Sequence, residues 1–372
     1  MADSVRIGVI GTSVFADCLH MEGLATHPRA ELVAVCGRNR GRAEALAAKY
    51  SVDAVFTDYS EMIANGGLDA VVIVTPEDTH FPMAMAAIEA GLHVSCEKPL
   101  ALNAREARIM LQAAEAAGIV HMVGYLHRWR PSARYMRALI DDGYLGPVFD
   151  CHALLQAGIA SDGTYGWRFD SRHANGALSD VGSHMIDLLR WLVGDIARVS
   201  ASVQTFVARE SAPDGESHPA NDSAVLALEF SNGAHGTIHA SLVAHVADDI
   251  VQEHVMLHGR DGTLEESYNL RGSDPPTRFR TEVTVRGARR EESLMANLPL
   301  PPRYWDGLGR GDPFDMLNKR DVGDRMWVDA ILSGHSVSPN FFDGLKAQEV
   351  IDGAFESSAT GQWVDLPPSE SS

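Results

Sequence analysis

Residues 5–16 read Val5-Arg6-Ile7-Gly8-Val9-Ile10-Gly11-Thr12-Ser13-Val14-Phe15-Ala16. A short apolar run ends at a glycine. Helical spacing follows, with Val14, Cys18, Met21 and Ala25 at i, i+4, i+7 and i+11. The stretch predicts a strand, a tight turn and a helix. Gly11, Ser13 and Ala16 stand where a dinucleotide-binding turn needs a sharp bend, a close backbone approach and a small packing residue. The form is G-x-S-x-x-A, with Ser13 where glycine is usual. A pyrophosphate held there would meet the helix N-terminus. A generic strand–helix turn fits the same letters, so the weight of the motif comes from its surroundings.

Those surroundings are regular. Leu32–Cys36 reads as a second strand and the Ala-rich Arg42–Tyr50 as a helix. Ala70–Val74 is a continuous apolar strand of the kind buried on both faces. Phe81–Ala90 is helical and stops at Gly91; Leu92–Cys96 is a strand. Asn103 caps a helix that runs to Ala117 and stops at Gly118, and Ile119–Val123 is a further strand. Repeated βα units predict a doubly wound parallel sheet of the Rossmann kind. The pattern changes near Gly124. Beyond a helix at Pro131–Asp142, strands are expected at Val148–Gln156, Val199–Val207, Ala224–Phe230, Ala234–Ser241 and Val251–Gly259. A helix at Ser183–Val193 interrupts them, and helices at Asp321–Leu332 and Asp343–Ser358 follow. The expected division is a nucleotide-binding domain over 1–125 and an α+β domain over 126–372. The latter carries a large, mostly antiparallel open sheet covered by helices on one face. A frayed tail is expected at 367–372.

Composition narrows the function. The 372 residues carry a formal net charge of −19, which repels phosphate backbones and anionic lipid and argues against nucleic-acid or membrane-surface binding. No run approaches the ~18 apolar residues of a spanning helix. The N-terminal residues lack the basic start and long apolar stretch of a signal peptide, so a cytoplasmic location is expected. Cys18, Cys36, Cys96 and Cys151 form no CxxC pair and no zinc-type spacing, so they read as reduced thiols and no metal is expected.

Three further stretches carry chemistry. Strand two ends at Gly37 with no carboxylate to take a ribose 2′-hydroxyl. Arg38, with Asn39 beside it, is placed to meet a 2′-phosphate or to stack on adenine, which favours NADP over NAD. Glu97-Lys98-Pro99 follows a parallel strand at its carboxyl end, where such sheets bind ligands. A lysine there can exchange a proton with a substrate oxygen; an exposed loop lysine is the equal alternative. In Asn175–His184, Asp180 and His184 are four apart and share a face if a helix starts near Asp180. His184 is a proton-relay type and Asp180 an orienting or substrate-bonding carboxylate. Helix capping by Asp180 is the ordinary alternative, and metal binding a weaker third. His235 and His239 share one strand face, where a histidine without a ligand role is the ordinary reading.

Together these residues resemble the Gfo/Idh/MocA oxidoreductases, the glucose–fructose oxidoreductase and inositol dehydrogenase type. The resemblance covers nearly the whole chain. Gly8-Val9-Ile10-Gly11 begins it, Val74-Thr75-Pro76 with His80 resembles the strand-four loop beside the cofactor, and Glu97-Lys98-Pro99 matches the EKP signature. Gly124–Pro131 is similar to the G-[YF]-N-x-R-x-x-P junction, and Ala174–His184 to the run ending in D-x-G-x-H. Leu126 replaces the junction Asn, and Ala174 and Asn175 replace two glycines. The resemblance implies an NAD(P)-dependent oxidoreductase acting on a secondary alcohol or ketone of a sugar or polyol. Lys98 and His184 become its acid/base pair and Asp180 their substrate-facing partner. Gly11, Thr12, Ser13, Val14, Phe15, Arg38, Asn39, Thr75, Pro76, His80, Glu97 and Lys98 become cofactor neighbours. Arg128, Trp167 and Arg168 become substrate-pocket candidates. It also implies a homodimer or homotetramer built through the C-terminal sheet. Two other functions share the pattern: a glycosidase-like member that keeps its NAD(P) through an internal redox cycle, and a non-catalytic cofactor-sensing regulator.

Overall fold

The computed structural model describes residues 4–272, 279–309 and 312–368, so the last part of the expected tail, 369–372, lies outside the described residues. The chain forms two compact units. The first holds residues 1–125 and 314–348, and the second 126–313 and 349–372. The first unit leaves the chain at Tyr125 and takes it up again at Phe314.

The first unit is built on a six-stranded sheet in the order β3-β2-β1-β4-β5-β6. The strands are β1 (Val5–Ile10), β2 (Ala30–Cys36), β3 (Ala54–Phe56), β4 (Ala70–Ile73), β5 (His93–Cys96) and β6 (His121–Val123). All pairings are parallel. Ile7, Val9, Val71, Val72, Ile73 and Val94 are fully buried, as apolar β-branched runs between two helical layers must be. Strand order reverses between β1 and β4, and such a sheet binds ligands at the carboxyl ends beside that reversal. Asn103 caps the Ala104–Ala117 helix by accepting from the Glu106 N–H at 3.0 Å.

One helix departs from expectation. Where Val14 to Ala25 predicts a plain α-helix, Ala16–Met21 is a π-helical segment that passes into α-helix at Glu22–Ala25. His20 lies within the π-helical segment, buried, with its ring bonded to Asp324 and Glu97.

The second unit carries a nine-stranded sheet in the order β14-β13-β12-β11-β7-β10-β9-β8-β15. These strands are β7 (Val148–Ala157), β8 (Ile196–Gln204), β9 (Ser223–Phe230), β10 (His235–Ser241), β11 (Asp249–Gly259), β12 (Gly262–Gly272), β13 (Phe279–Arg289), β14 (Ala296–Asn297) and β15 (Val364–Asp365). Among the described residues of this sheet only β7 and β10 pair in parallel; the other ladders are antiparallel. β12 and β13 are not among the strands expected from the sequence. Gly262–Gly272 mixes Glu, Ser, Asn and Arg with few apolar residues, and this blurs the alternation that marks a half-buried strand. The inner face buries Cys151, Ala153, Leu155, Leu226, Ile238 and Leu257, together with Leu188 and Leu189 of the Ser183–Val193 helix. That helix does not start on an Asp180 cap. A π-helical segment, Leu178–Gly182, runs straight into it, and Gly182 is its cap residue. Asp180 and His184 therefore belong to one continuous helical stretch. No described helix is long and apolar enough to cross a membrane.

Candidate active site

In the first unit the expected cofactor residues gather at the carboxyl ends of β1, β2, β4 and β5. Gly11 N–H donates to Cys36 O at 2.9 Å, and Val74 N–H to Ile10 O at 2.8 Å, which ties the β1 turn to both neighbours. Gly11 has φ +130°, and a Cβ there would lie 2.1 Å from the Val74 carbonyl oxygen. Only glycine fits that conformation and that space. Ser13, Val14 and Phe15 are exposed at the turn, and Ser13 Oγ accepts from Ala16 N–H at 3.2 Å. A bare, open turn at the start of a helix, on the first strand of a doubly wound sheet, fits a pyrophosphate. Gly11→Ala is expected to cost about 1–3 kcal/mol in backbone strain. The melting temperature should fall and calorimetry should show weaker dinucleotide binding.

Thr12 lies against Gly37, the residue before Arg38, and Arg38 itself is exposed. Asn39 acts as a helix cap. Its side chain accepts from Arg42 N–H at 3.0 Å at the start of the Arg40–Lys49 helix. Thr75 and Pro76 are half-buried after β4. His80 is buried between two carbonyls, with Nδ1 2.8 Å from Pro99 O and Nε2 2.9 Å from Thr75 O. Burial lowers its pKa, against the pull of the two carbonyls. It links the loops after β4 and β5.

Glu97 and Lys98 follow β5, and the Lys98–Pro99 peptide is cis. Glu97 N–H donates to Ile73 O at 2.9 Å, and its carboxylate accepts from Lys98 N–H at 3.2 Å. A Cβ on Gly124 would lie 2.6 Å from Glu97 Oε1, so the glycine at the junction makes room for this carboxylate. Beneath it lies a buried network that the sequence reading missed. His20 places Nε2 3.1 Å from Glu97 Oε1 and Nδ1 2.6 Å from Asp324 Oδ2, and Ser95 Oγ donates to Asp324 Oδ1 at 2.7 Å. Burial by itself lowers the His20 pKa. The carboxylates of Asp324 and Glu97 outweigh it and raise the pKa to about 10, so the ring is an imidazolium at neutral pH. Asp324 comes from the segment that rejoins this unit late in the chain, and no local spacing advertises it.

In the second unit His184 is buried and stacks on His127, with ring centroids 4.0 Å apart and planes 11° from parallel. His127 Nδ1 is 2.9 Å from Arg130 Nη2 and 3.2 Å from Glu253 Oε2. Arg130 donates to Glu253 at 2.7 Å and lies over the Tyr268 ring at 4.3 Å, and Ser132 donates to Glu266. Burial raises the pKa of Glu253 and of Glu266, against the field of Arg130. His184 is thus braced by an aromatic ring that a buried ionic network fixes. Asp180 lies 3.3 Å from Arg168 Nε, and Arg168 covers the Trp167 ring at 4.4 Å, which groups three of the expected substrate-side residues. Arg128 is different. It is buried and forms a bidentate pair with the fully buried Asp187, Nε to Oδ2 at 2.7 Å, which holds the Leu126–Trp129 turn to the Ser183–Val193 helix.

Family comparison gives this geometry its context. The family model for the Gfo/Idh/MocA oxidoreductase family, NAD-binding Rossmann fold, matches residues 5–125, and that for the Gfo/Idh/MocA C-terminal domain matches residues 133–265. The chain belongs to the Gfo/Idh/MocA family. It is an oxidoreductase with the NAD-binding Rossmann fold of that family. Among its Gfo/Idh/MocA relatives, levoglucosan dehydrogenase from Pseudarthrobacter phenanthrenivorans is 30% identical over 338 residues, covering 84% of this chain and 83% of the relative. The scyllo-inositol 2-dehydrogenase (NAD(+)) of Bacillus subtilis is 30% identical over 267 residues, covering 71% and 74%. A solved structure of levoglucosan dehydrogenase in complex with NADH and levoglucosan superposes with a TM-score of 0.85 at 25% identity, covering 98% of this chain and all (100%) of the other.

Proposed function

We propose that the protein is an NAD(P)-dependent dehydrogenase or reductase of a sugar or polyol, acting at a secondary alcohol or ketone carbon. The observation that carries this reading is the Glu97-Lys98 pair at the carboxyl end of β5. It stands on the same sheet edge as the Gly11 turn and is held by the buried His20–Asp324 pair. Relatives named for levoglucosan and scyllo-inositol support a polyhydroxylated substrate.

Gly11, Thr12, Ser13, Val14, Phe15, Arg38, Thr75, Pro76 and Glu97 hold the dinucleotide, which when bound supplies the hydride chemistry. Lys98 and His184 handle the proton of the reacting hydroxyl, one by direct exchange and the other by orienting the oxygen. Asp180 accepts a hydrogen bond from the substrate, and Arg168 and Trp167 shape its surroundings. His127 keeps the His184 ring in one plane, and this fixes where its outer nitrogen points. His80 holds the loops after β4 and β5 in register, so that Lys98 stands at a constant height above the sheet.

Arg38 favours NADP in this reading: it is exposed after β2 and no carboxylate precedes it at the strand end. Arg38→Ala should weaken NADP+ by about tenfold, the size of one charge-assisted contact, and NAD+ little. Calorimetry with both dinucleotides measures this. Equal weakening would mean that the guanidinium stacks on adenine. The assembly is proposed as a homodimer or homotetramer through the nine-stranded sheet, and the setting as the cytoplasm. Among the described residues none of the four cysteines is in a disulfide.

A screen of sugars and polyols, followed by reduced-nicotinamide absorbance, tests the reaction class. Turnover of at least one polyol is the expected result.

A further inference from the structure

We propose that Asp150, His152 and His258 form a site for one divalent first-row transition-metal ion of the zinc type, on the open face of the nine-stranded sheet. Sheet topology brings these residues together. β7 lies between its parallel neighbour β10 and its antiparallel neighbour β11. Asp150 on β7 is in register with His235 on one side and with His258 on the other. His152 follows two residues along β7, on the same face. His239 and His254 are each in register with Leu154, so this face gathers histidines from three adjacent strands. The opposite face is the apolar core at Cys151 and Ala153.

The donor geometry suits an ion. One ligand atom from each of Asp150, His152 and His258 lies within 4.8 Å of the others. A tetrahedral zinc with bonds of about 2.0–2.1 Å sets its donors about 3.3 Å apart, a contraction that side-chain rotation supplies. His152 Nε2 is already 3.0 Å from Asp150 Oδ2. The other nitrogen of each ring is engaged: His152 Nδ1 is 2.9 Å from Thr237 Oγ1, and His258 Nδ1 is 3.0 Å from Thr263 Oγ1. Hydroxyls on the flanking strands thus orient both rings, as the outer partners of metal-binding imidazoles do. His235 Nε2, 3.5 Å from Asp150 Oδ1, stands beside the set as a candidate fourth donor. Two imidazoles and one carboxylate select zinc and its neighbours over magnesium and calcium, which take oxygen donors. The three donors come from one chain, on the sheet proposed above as the subunit interface, and none of them is assigned to hydride transfer.

The test uses full-length protein without a histidine tag, stripped with a chelator and dialysed, then titrated calorimetrically with ZnCl2 and separately with MgCl2. One zinc per chain is expected, with no magnesium binding at the same concentrations. His152→Gln and His258→Gln should each weaken zinc by roughly tenfold or more, since even outer partners of metal ligands are worth that much. His254→Gln, whose ring pairs with Glu265 on the same face at 2.9 Å, should leave zinc binding unchanged. Thr237→Val keeps every donor and should weaken binding by a smaller factor. Zinc should raise the melting temperature of the wild type and not of the His152 variant. The proposal is overturned if the wild type binds no zinc or binds magnesium equally well. Unchanged zinc binding in both the His152 and His258 variants would also overturn it.

Discussion

Lys98→Ala is expected to lower kcat by about 10²–10⁴-fold, the range for a lost general acid or base, while dinucleotide affinity changes little. The asymmetry follows from where Lys98 stands. The backbone around it is anchored without its side chain: Glu97 N–H is bonded to Ile73 O, the Glu97 carboxylate to Lys98 N–H, and the Pro99 carbonyl to His80. Truncation at Lys98 is therefore expected to leave the loop and the Gly11 turn in place and to remove only the nitrogen-bearing side chain. Single-turnover kinetics, with dinucleotide affinity measured by calorimetry on the same sample, separates the two effects. A Lys98→Ala enzyme with wild-type kcat would remove Lys98 from the chemistry.

The second large effect is on stability. His20→Ala is expected to destabilise the protein by about 3–5 kcal/mol, because it leaves the Asp324 and Glu97 carboxylates in a buried site without their cation. His20 is itself buried, and both of its nitrogens are committed. The pH dependence has a definite sign. The folded-state pKa of about 10 lies above the ordinary value of 6.5. The contribution of His20 is thus fully present below pH 6.5 and is lost progressively as pH rises to about 10. Denaturant unfolding between pH 6 and 10 should show wild-type stability falling over this window, and a His20→Gln variant should lack that part of the slope. A wild-type profile with no decline toward pH 10 would show that His20 is not held as an imidazolium. The same variant should misplace Glu97 and lower kcat without abolishing activity, as befits a positioning residue.

Much of this architecture is written locally in the chain. The apolar runs at β1, β4 and β5 and the Asn103 cap are near-neighbour signals, and the parallel sheet follows from them. The need for glycine at position 11 is also legible, because the residue ends a strand and opens a helix. Other features depend on distant partners. Asp324 joins His20 across some three hundred residues of sequence, and the π-helical segment that holds His20 has no composition of its own. His127 stands in the junction motif, but its stacking on His184 needs the tertiary fold. Arg128 is a pocket candidate through the resemblance of the junction motif, and only the fold places the buried Asp187 against it. The polar strands β12 and β13 show how edge-side sheet strands escape a reading based on apolar alternation.

The most direct test of the central claim is the absorbance of reduced nicotinamide when purified enzyme and NADP+ or NAD+ are mixed with a panel of sugars, cyclic polyols and glycosides. Reduced cofactor is expected to accumulate with at least one free sugar or polyol, in step with loss of the alcohol, and Lys98→Ala is expected to slow that accumulation by about 10²–10⁴-fold. Cleavage of a glycoside with no net change in reduced nicotinamide would contradict it and would place the protein among enzymes that return the hydride to their own product.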